Sequence, residues 1–228
     1  MKDDDEHHNE IDDFDPHAER KSVELGAIGA QKFVTRGEEI NLKYLDPSLN
    51  ETIAAVGWDF KQFDRDPPDM DVSVFLLNRH EKTREDTDFI FYNNLTGCDG
   101  AVRHMGDSRT GAGDGDDETI FIDLNALPFD VLKIVFVVSI YDLDLTDNSF
   151  DQVKNVYFRL VNKDTNHELF RFNLDENLEA GKTSLLVGEM ERVGSEWVFR
   201  AIGDTAEGGL SAVANEYGII VAQMIVPT

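Results

Sequence analysis

The sequence predicts an all-β fold, a two-sheet antiparallel β-sandwich with one or two short helices. Three observations carry this. Ten short segments have strand character and are separated by turn residues. Several of them alternate apolar and polar positions with period two. Only one segment reads as a helix. With 228 residues and a hydrophobic fraction of 41%, one domain of this kind can bury a sizeable core.

The expected strands are residues 40–44, 52–58, 72–77, 89–92, 119–124, 132–141, 153–161, 168–174, 184–191 and 197–202. In 153–161, the pattern puts Val153, Asn155, Tyr157, Arg159 and Val161 on one face, and Lys154, Val156, Phe158 and Leu160 on the other. Residues 132–141 are nearly all apolar and rich in β-branched side chains, as a central strand covered on both faces requires. The helix is expected over 210–217, after Gly208 and Gly209 and before Gly218. Trp58 and Trp197 are core anchors on this reading, with Phe33, Phe75, Phe89, Phe91, Phe136 and Phe158. Residues 93–118 form the longest stretch without strand character and read as a functional loop. Residues 1–31 are expected to be an acidic disordered tail, and 32–228 one sandwich domain. The first twenty residues hold nine acidic side chains against two basic ones.

Asp and Glu number 46 against 21 Lys and Arg, a net charge of −25 and a pI near 4.4. That surface repels phosphate backbones, so nucleic acid is excluded as a first partner. Anionic membranes are excluded too unless a cation bridges the two. Cys98 is the only cysteine, which rules out an intrachain disulfide and a thiolate zinc cluster and suits a reducing compartment. The N-terminus lacks the apolar stretch of a secretory signal. The longest apolar run, 131–140, is broken by Lys133 and is too short to span a bilayer. The expectation is a soluble cytoplasmic protein.

Within 93–118, Asp99, Asp107, Asp114, Asp116, Asp117 and Glu118 are interleaved with Gly97, Gly100, Gly106, Gly111, Gly113 and Gly115. Glycine lets backbone carbonyls turn inward, and carboxylates with carbonyls supply the six to eight hard oxygens that calcium takes. Two carboxylates about 4 Å apart repel by roughly 4 kcal/mol at an effective dielectric near 20, so converging several of them calls for a cation. Asp59 ends one strand, and Asp69 and Asp71 begin another, a second acidic group at a strand end. Nothing fits the EF-hand spacing. The alternative reading of the same residues is solvated turns, since Asp and Gly are the commonest turn formers.

The segments GWD (57–59), DMDVSVFLL (69–77), DFIFYNN (88–94), DGAVRHMGD (99–107) and TGAGDGDDE (110–118) resemble the TerD family. The resemblance runs on through KIVFVVSIYD (133–142), FDQVKNVYFRLVN (150–162), WVFRAIG (197–203) and GGLSAVANEYG (208–218), and covers about residues 32–220. It implies a calcium-binding β-sandwich from tellurite-resistance and stress-response operons, with tip loops holding two adjacent ions. By that resemblance the ligands are Asp59, Asp69, Asp71, Asn93, Asn94, Asp99, Gly100, Asp107, Asp116, Asp117 and Glu118. The implied role is a binding or scaffolding module for protein partners of a stress-response complex. Ser108 stands where the family commonly has Asn, and Pro67 and Pro68 stiffen the loop before Asp69.

Enzymatic readings are weaker. Acid–base pairs need two carboxyl groups in unlike settings, whereas these are bunched among glycines. Cys98 lies beside Asp99, and a carboxylate raises a thiol pKa. The competing binding class is a peripheral membrane module that reaches lipid headgroups through calcium, for which Leu95 and Met105 are the apolar candidates.

Overall fold

The computed structural model describes residues 31–61, 68, 70–107, 115–140 and 148–220. The chain divides into two units, 1–30 and 31–228, and the described residues belong to the second. The acidic tail, Asp69, residues 108–114 with Asp114, and the C-terminal 221–228 lie outside the described residues.

Two sheets face each other. The first has seven strands, in spatial order β1 (Phe33–Val34), β11 (His167–Asn173), β10 (Val153–Asn162), β3 (Glu51–Phe60), β8 (Glu118–Asp123), β7 (Val102–Asp107) and β6 (Thr96–Gly97). The second has six, in the order β2 (Glu39–Asn41), β13 (Glu196–Thr205), β12 (Ser184–Val193), β9 (Lys133–Ile140), β4 (Met70–Leu77) and β5 (Phe89–Ile90). Every pairing is antiparallel except the short β1–β11 contact.

The period-two pattern builds the core. Val72, Val74, Phe136, Phe158 and Phe199 turn inward and pack between the sheets, and Phe158 stacks on Phe199 with ring centroids 5.7 Å apart. The opposite face of the second sheet is covered as well. There Phe75, Phe89, Val135 and Val137 meet Val213 and Ala214 of α2 (Gly209–Glu216). The strand expected at 132–141 is therefore central and covered on both sides. Trp58 and Trp197 are both buried.

Four expectations are corrected. After Asn41 the chain leaves the strand expected over 40–44 and makes one helical turn, α1 (Leu42–Leu45), because the Asn41 side chain caps the N–H of Lys43. Phe33 is 53% exposed rather than core, since β1 is a two-residue edge strand. The stretch 93–118 holds β6 and β7; it is a strand pair as much as a loop. In 153–161, Asn155 takes φ 53° and the β3–β10 register breaks between Lys154 and Tyr157. That bulge puts Val153 and Val156 on the same buried side, while Lys154 faces solvent.

Candidate functional site

The start of β8 is the organising point. Asp117 lies just before the strand, and its N–H donates to the Val56 carbonyl of β3. Its Oδ2 accepts from the Trp58 N–H at 2.8 Å. Glu118 opens β8 and shares its inward face with Ile120 and Ile122. Its Oε2 accepts from the Val72 N–H of β4. β5 pairs with β4 only at Val74 and Phe75, so Glu118 takes over a backbone donor of β4 beyond the reach of that pairing. The side chain thereby ties one sheet to the other.

Asp71 precedes Val72 and faces the outer side of the second sheet, opposite Ser139 of β9. Asp71 and Asp117 are each 6% exposed and Glu118 only 1%. Carboxylates this deeply withdrawn from water require compensation. His104 of β7 supplies part of it, with Nε2 3.6 Å from Glu118 Oε2 and Nδ1 accepting from the Gly106 N–H at 3.2 Å. Burial pushes the imidazole pKa down, but Glu118 and then Asp71 more than offset this, and the net shift is upward.

The other expected ligands divide by place. Asp59 is exposed, at the same end of β3, and accepts from Asn155 Nδ2 at 2.6 Å. Asn93 and Asn94 follow β5, and Asn94 Nδ2 donates to the Phe89 carbonyl at 2.7 Å. With Asp71 they line a groove of about 1130 Å³ whose far wall is α2 and Lys182, which pairs with Glu207. Asp116 is committed elsewhere. Arg159 grips it through Nε at 2.8 Å and Nη2 at 2.7 Å, and the Tyr157 hydroxyl donates at 3.0 Å. Burial, and then Asp116, push the Tyr157 pKa up to about 12. Asp107 ends β7 opposite Glu118, and Asp69 lies outside the described residues.

Asp99 and Gly100 are not brought to this pole. They form the turn between β6 and β7, where the Ala101 carbonyl accepts from the Asp123 N–H at the far end of β8. Five residues of strand separate that turn from Glu118, roughly 17 Å. Cys98 sits at the same turn, with Sγ 3.0 Å from Arg84 Nη2, and burial pushes its thiol up despite that cation.

Among the described residues, no three His, Cys, Asp or Glu side chains form a group able to hold a metal ion. The buried carboxylates Asp71, Asp117 and Glu118 offer hard oxygens of the kind calcium takes, and Asp69 and the 108–114 loop flank them in sequence. The donor chemistry thus fits the ion, while the described set by itself does not complete a shell.

Sequence reasoning missed Arg159 and Tyr157 as the partners of Asp116. It also took His104 for a loop residue. The signal for His104 was its position two residues after Val102, a core residue on the same face of β7.

The model of the TerD domain matches residues 32–217. The chain is 45% identical over 186 residues to the tellurium resistance protein TerD of Serratia marcescens, covering 82% of this chain and 96% of that one. It is 41% identical over 187 residues to general stress protein 16U of Bacillus subtilis, again covering 82% and 96%. Among solved structures, a homologue of telluride resistance protein (TerD) from Streptomyces coelicolor superposes with a TM-score of 0.60 at 22% identity. That match covers 73% of this chain and 96% of that one, and it bears on the fold alone.

Proposed function

The chain belongs to the TerD family, whose relatives are named for tellurium resistance and general stress, and from that premise we propose that it is a non-enzymatic, calcium-binding scaffold of the stress response. The observation that carries this reading is that Asp71, Asp117 and Glu118, in or beside strands β4 and β8, are all nearly sealed from water. The N–H groups of Trp58 and Val72 solvate two of these carboxylates.

Asp71, Asp117 and Glu118 would hold the ion with Asp69 and Asp107 from the flanking segments and, toward the groove, Asn93. A bound calcium ion would supply the positive charge that turns their mutual repulsion into attraction, and only in the folded state. The chain's own part is to set the ligands in place. Glu118 is fixed by β4, Asp117 by β3, and the base of their loop by the Arg159 grip on Asp116. Once held, the loops present one surface to a protein partner, which is what scaffolding requires.

A calorimetric calcium titration of chelator-stripped protein, with magnesium as control and melting curves alongside, tests this. Two calcium-selective binding events and a raised Tm are expected. No heat and no thermal shift would leave the acidic loops as solvated turns.

One observation favours a second reading. Leu95 and Met105 are 48% and 56% exposed, and the backbone links them, since the Leu95 carbonyl accepts from the His104 N–H. Such apolar side chains would suit a calcium-bridged membrane surface. Co-sedimentation with phosphatidylserine vesicles, with and without calcium, decides this, and the reading falls if the protein stays in the supernatant in both.

A further inference from the structure

Leu124 follows the far end of β8, and there the sandwich carries a second concavity, remote from the carboxylates. It is about 410 Å³ and is floored by Leu42, Leu49, Leu124, Leu127 and Trp197, which is within the size range of ligand and side-chain pockets. Two aromatic side chains stand out beside this pole instead of closing over it. Phe129, on the rim, is 90% exposed, and Tyr44, in α1 beside Leu42 and Lys43, is 85% exposed.

The charge at the rim is unusual for so acidic a chain. Arg84, Arg159, Arg171 and Arg192 are the half-buried arginines among the described residues. The first three pair with carboxylates. Arg192 instead donates to the carbonyls of Val131, Leu127 and Pro128 at 3.2 to 3.4 Å. Its guanidinium carbon lies 4.6 Å from the Trp197 ring centroid and 5.9 Å from that of Phe129. Burial pushes its pKa down, with no anion acting against it. Lys43, also in the lining, likewise spends its ammonium on carbonyls, those of Pro47 and Leu49. Glu196, the acidic residue of the lining, accepts from Asn41 Nδ2 at 2.6 Å. Among the described residues neither Arg192 nor Lys43 forms an ion pair, so two cations line an apolar floor. Exposed aromatics with an arginine are the composition of protein interface centres.

We propose that this pocket docks a protein partner presenting a carboxylate beside a large apolar side chain. The carboxylate pairs with Arg192, in the fork geometry that guanidinium favours. The apolar group enters over Leu42, Leu127 and Trp197, and Phe129 closes against it. The exposed rim aromatics extend the contact beyond the cavity, which suits a peptide segment better than a small free acid. The site stands apart from the calcium pole and does not rest on the reading given for it.

The two tryptophans provide the test, because Trp58 adjoins the carboxylate pole and Trp197 the pocket. The probe is a capped octapeptide alternating aspartate with leucine and phenylalanine, added in chelator to the full-length ¹⁵N-labelled chain. The expected result is a shift of the Trp197 indole signal with Trp58 unmoved, and binding that weakens several-fold from about 50 to about 300 mM salt. Arg192→Gln and Phe129→Ala should each lower affinity by roughly tenfold. Phe129 is exposed enough that its removal leaves Tm unchanged. Any of three results overturns the proposal: no Trp197 shift at millimolar peptide, equal binding by a peptide with lysine for each aspartate, or unchanged affinity in both variants.

Discussion

Asp116, Asp117 and Glu118 are consecutive acids in three different settings, and this separates their roles. Asp116 is held by the Arg159 guanidinium, and Asp117 and Glu118 accept from backbone N–H groups. A carboxylate already neutralised by a guanidinium gains little from a metal, so Asp116 acts as an anchor for the base of the loop. Asp116→Asn is expected to leave the heat of calcium binding intact and to lower stability in chelator by about 1–3 kcal/mol, because Arg159 loses a charged partner. Asp117→Asn keeps an acceptor for the Trp58 N–H and removes the charge, so one calcium event should be lost. Calorimetry and melting curves on the pair check this, and an exchange of the two phenotypes would exchange the two assignments.

At the scale of elements, β10 is the spine of the larger sheet, and two features join it to its neighbours. Toward β3, the Tyr157 ring lies against Gly57, where an added Cβ would clash with it. Gly57→Ala is therefore expected to cost about 1–3 kcal/mol by overpacking and to displace the hydroxyl that holds Asp116. Thermal melting and a displaced Tyr157 ring signal in NMR spectra would show it. Toward β11, Glu168 sits between Arg159 and Arg171. Burial would raise its pKa, but hydrogen bonds from Arg171, Arg159 and Gln31 outweigh that and hold it at about 2 against an ordinary 4.5. The folded value is the lower one, so this stabilisation is complete above pH 4.5 and fades as pH falls toward 2. Its size, discounted for partial exposure, is about 1–2 kcal/mol. Glu168→Gln should flatten the stability profile in that window, and an unchanged acid limb would remove Glu168 as a cause.

The same scale explains what the sequence made legible. Strands dense in apolar and β-branched residues, such as β4 and β9, were readable because burial on both faces imposes that composition. β6 and β7 were not, since Gly97, Gly106 and Asp107 disfavour strands on their own and are held extended only by pairing with β8. The acidic motifs announced Asp71, Asp117 and Glu118. They could not separate these from Asp99 and Gly100, because an Asp-Gly pair looks alike at either end of a strand and only the β7–β8 register assigns the end. Arg159 lies 43 residues from Asp116 in sequence, and no local pattern links them.

Over the whole molecule, a net charge of −25 sets calcium apart from ordinary salt. Self-repulsion of an acidic surface destabilises the compact state, and any added electrolyte relieves part of it by shortening the Debye length, to about 10 Å at 0.1 M. That relief depends on ionic strength and is blind to the cation. A built site is different, since stabilisation by a bound ion follows RT ln(1 + [L]/Kd), about 2.7 kcal/mol once the free ion exceeds its Kd a hundredfold. The two contributions separate in one experiment, with Tm followed against calcium, magnesium and sodium chloride at matched ionic strength. Calcium should raise Tm by several degrees beyond the shared salt effect, with magnesium close to sodium, because a compact octahedral ion meets an irregular oxygen set poorly. In the Asp117→Asn variant the calcium curve should fall toward the sodium curve, while the common salt effect, a property of the total charge, stays. Coincident curves for all three salts in the unmodified chain would mean that its acidic pole answers to charge density alone.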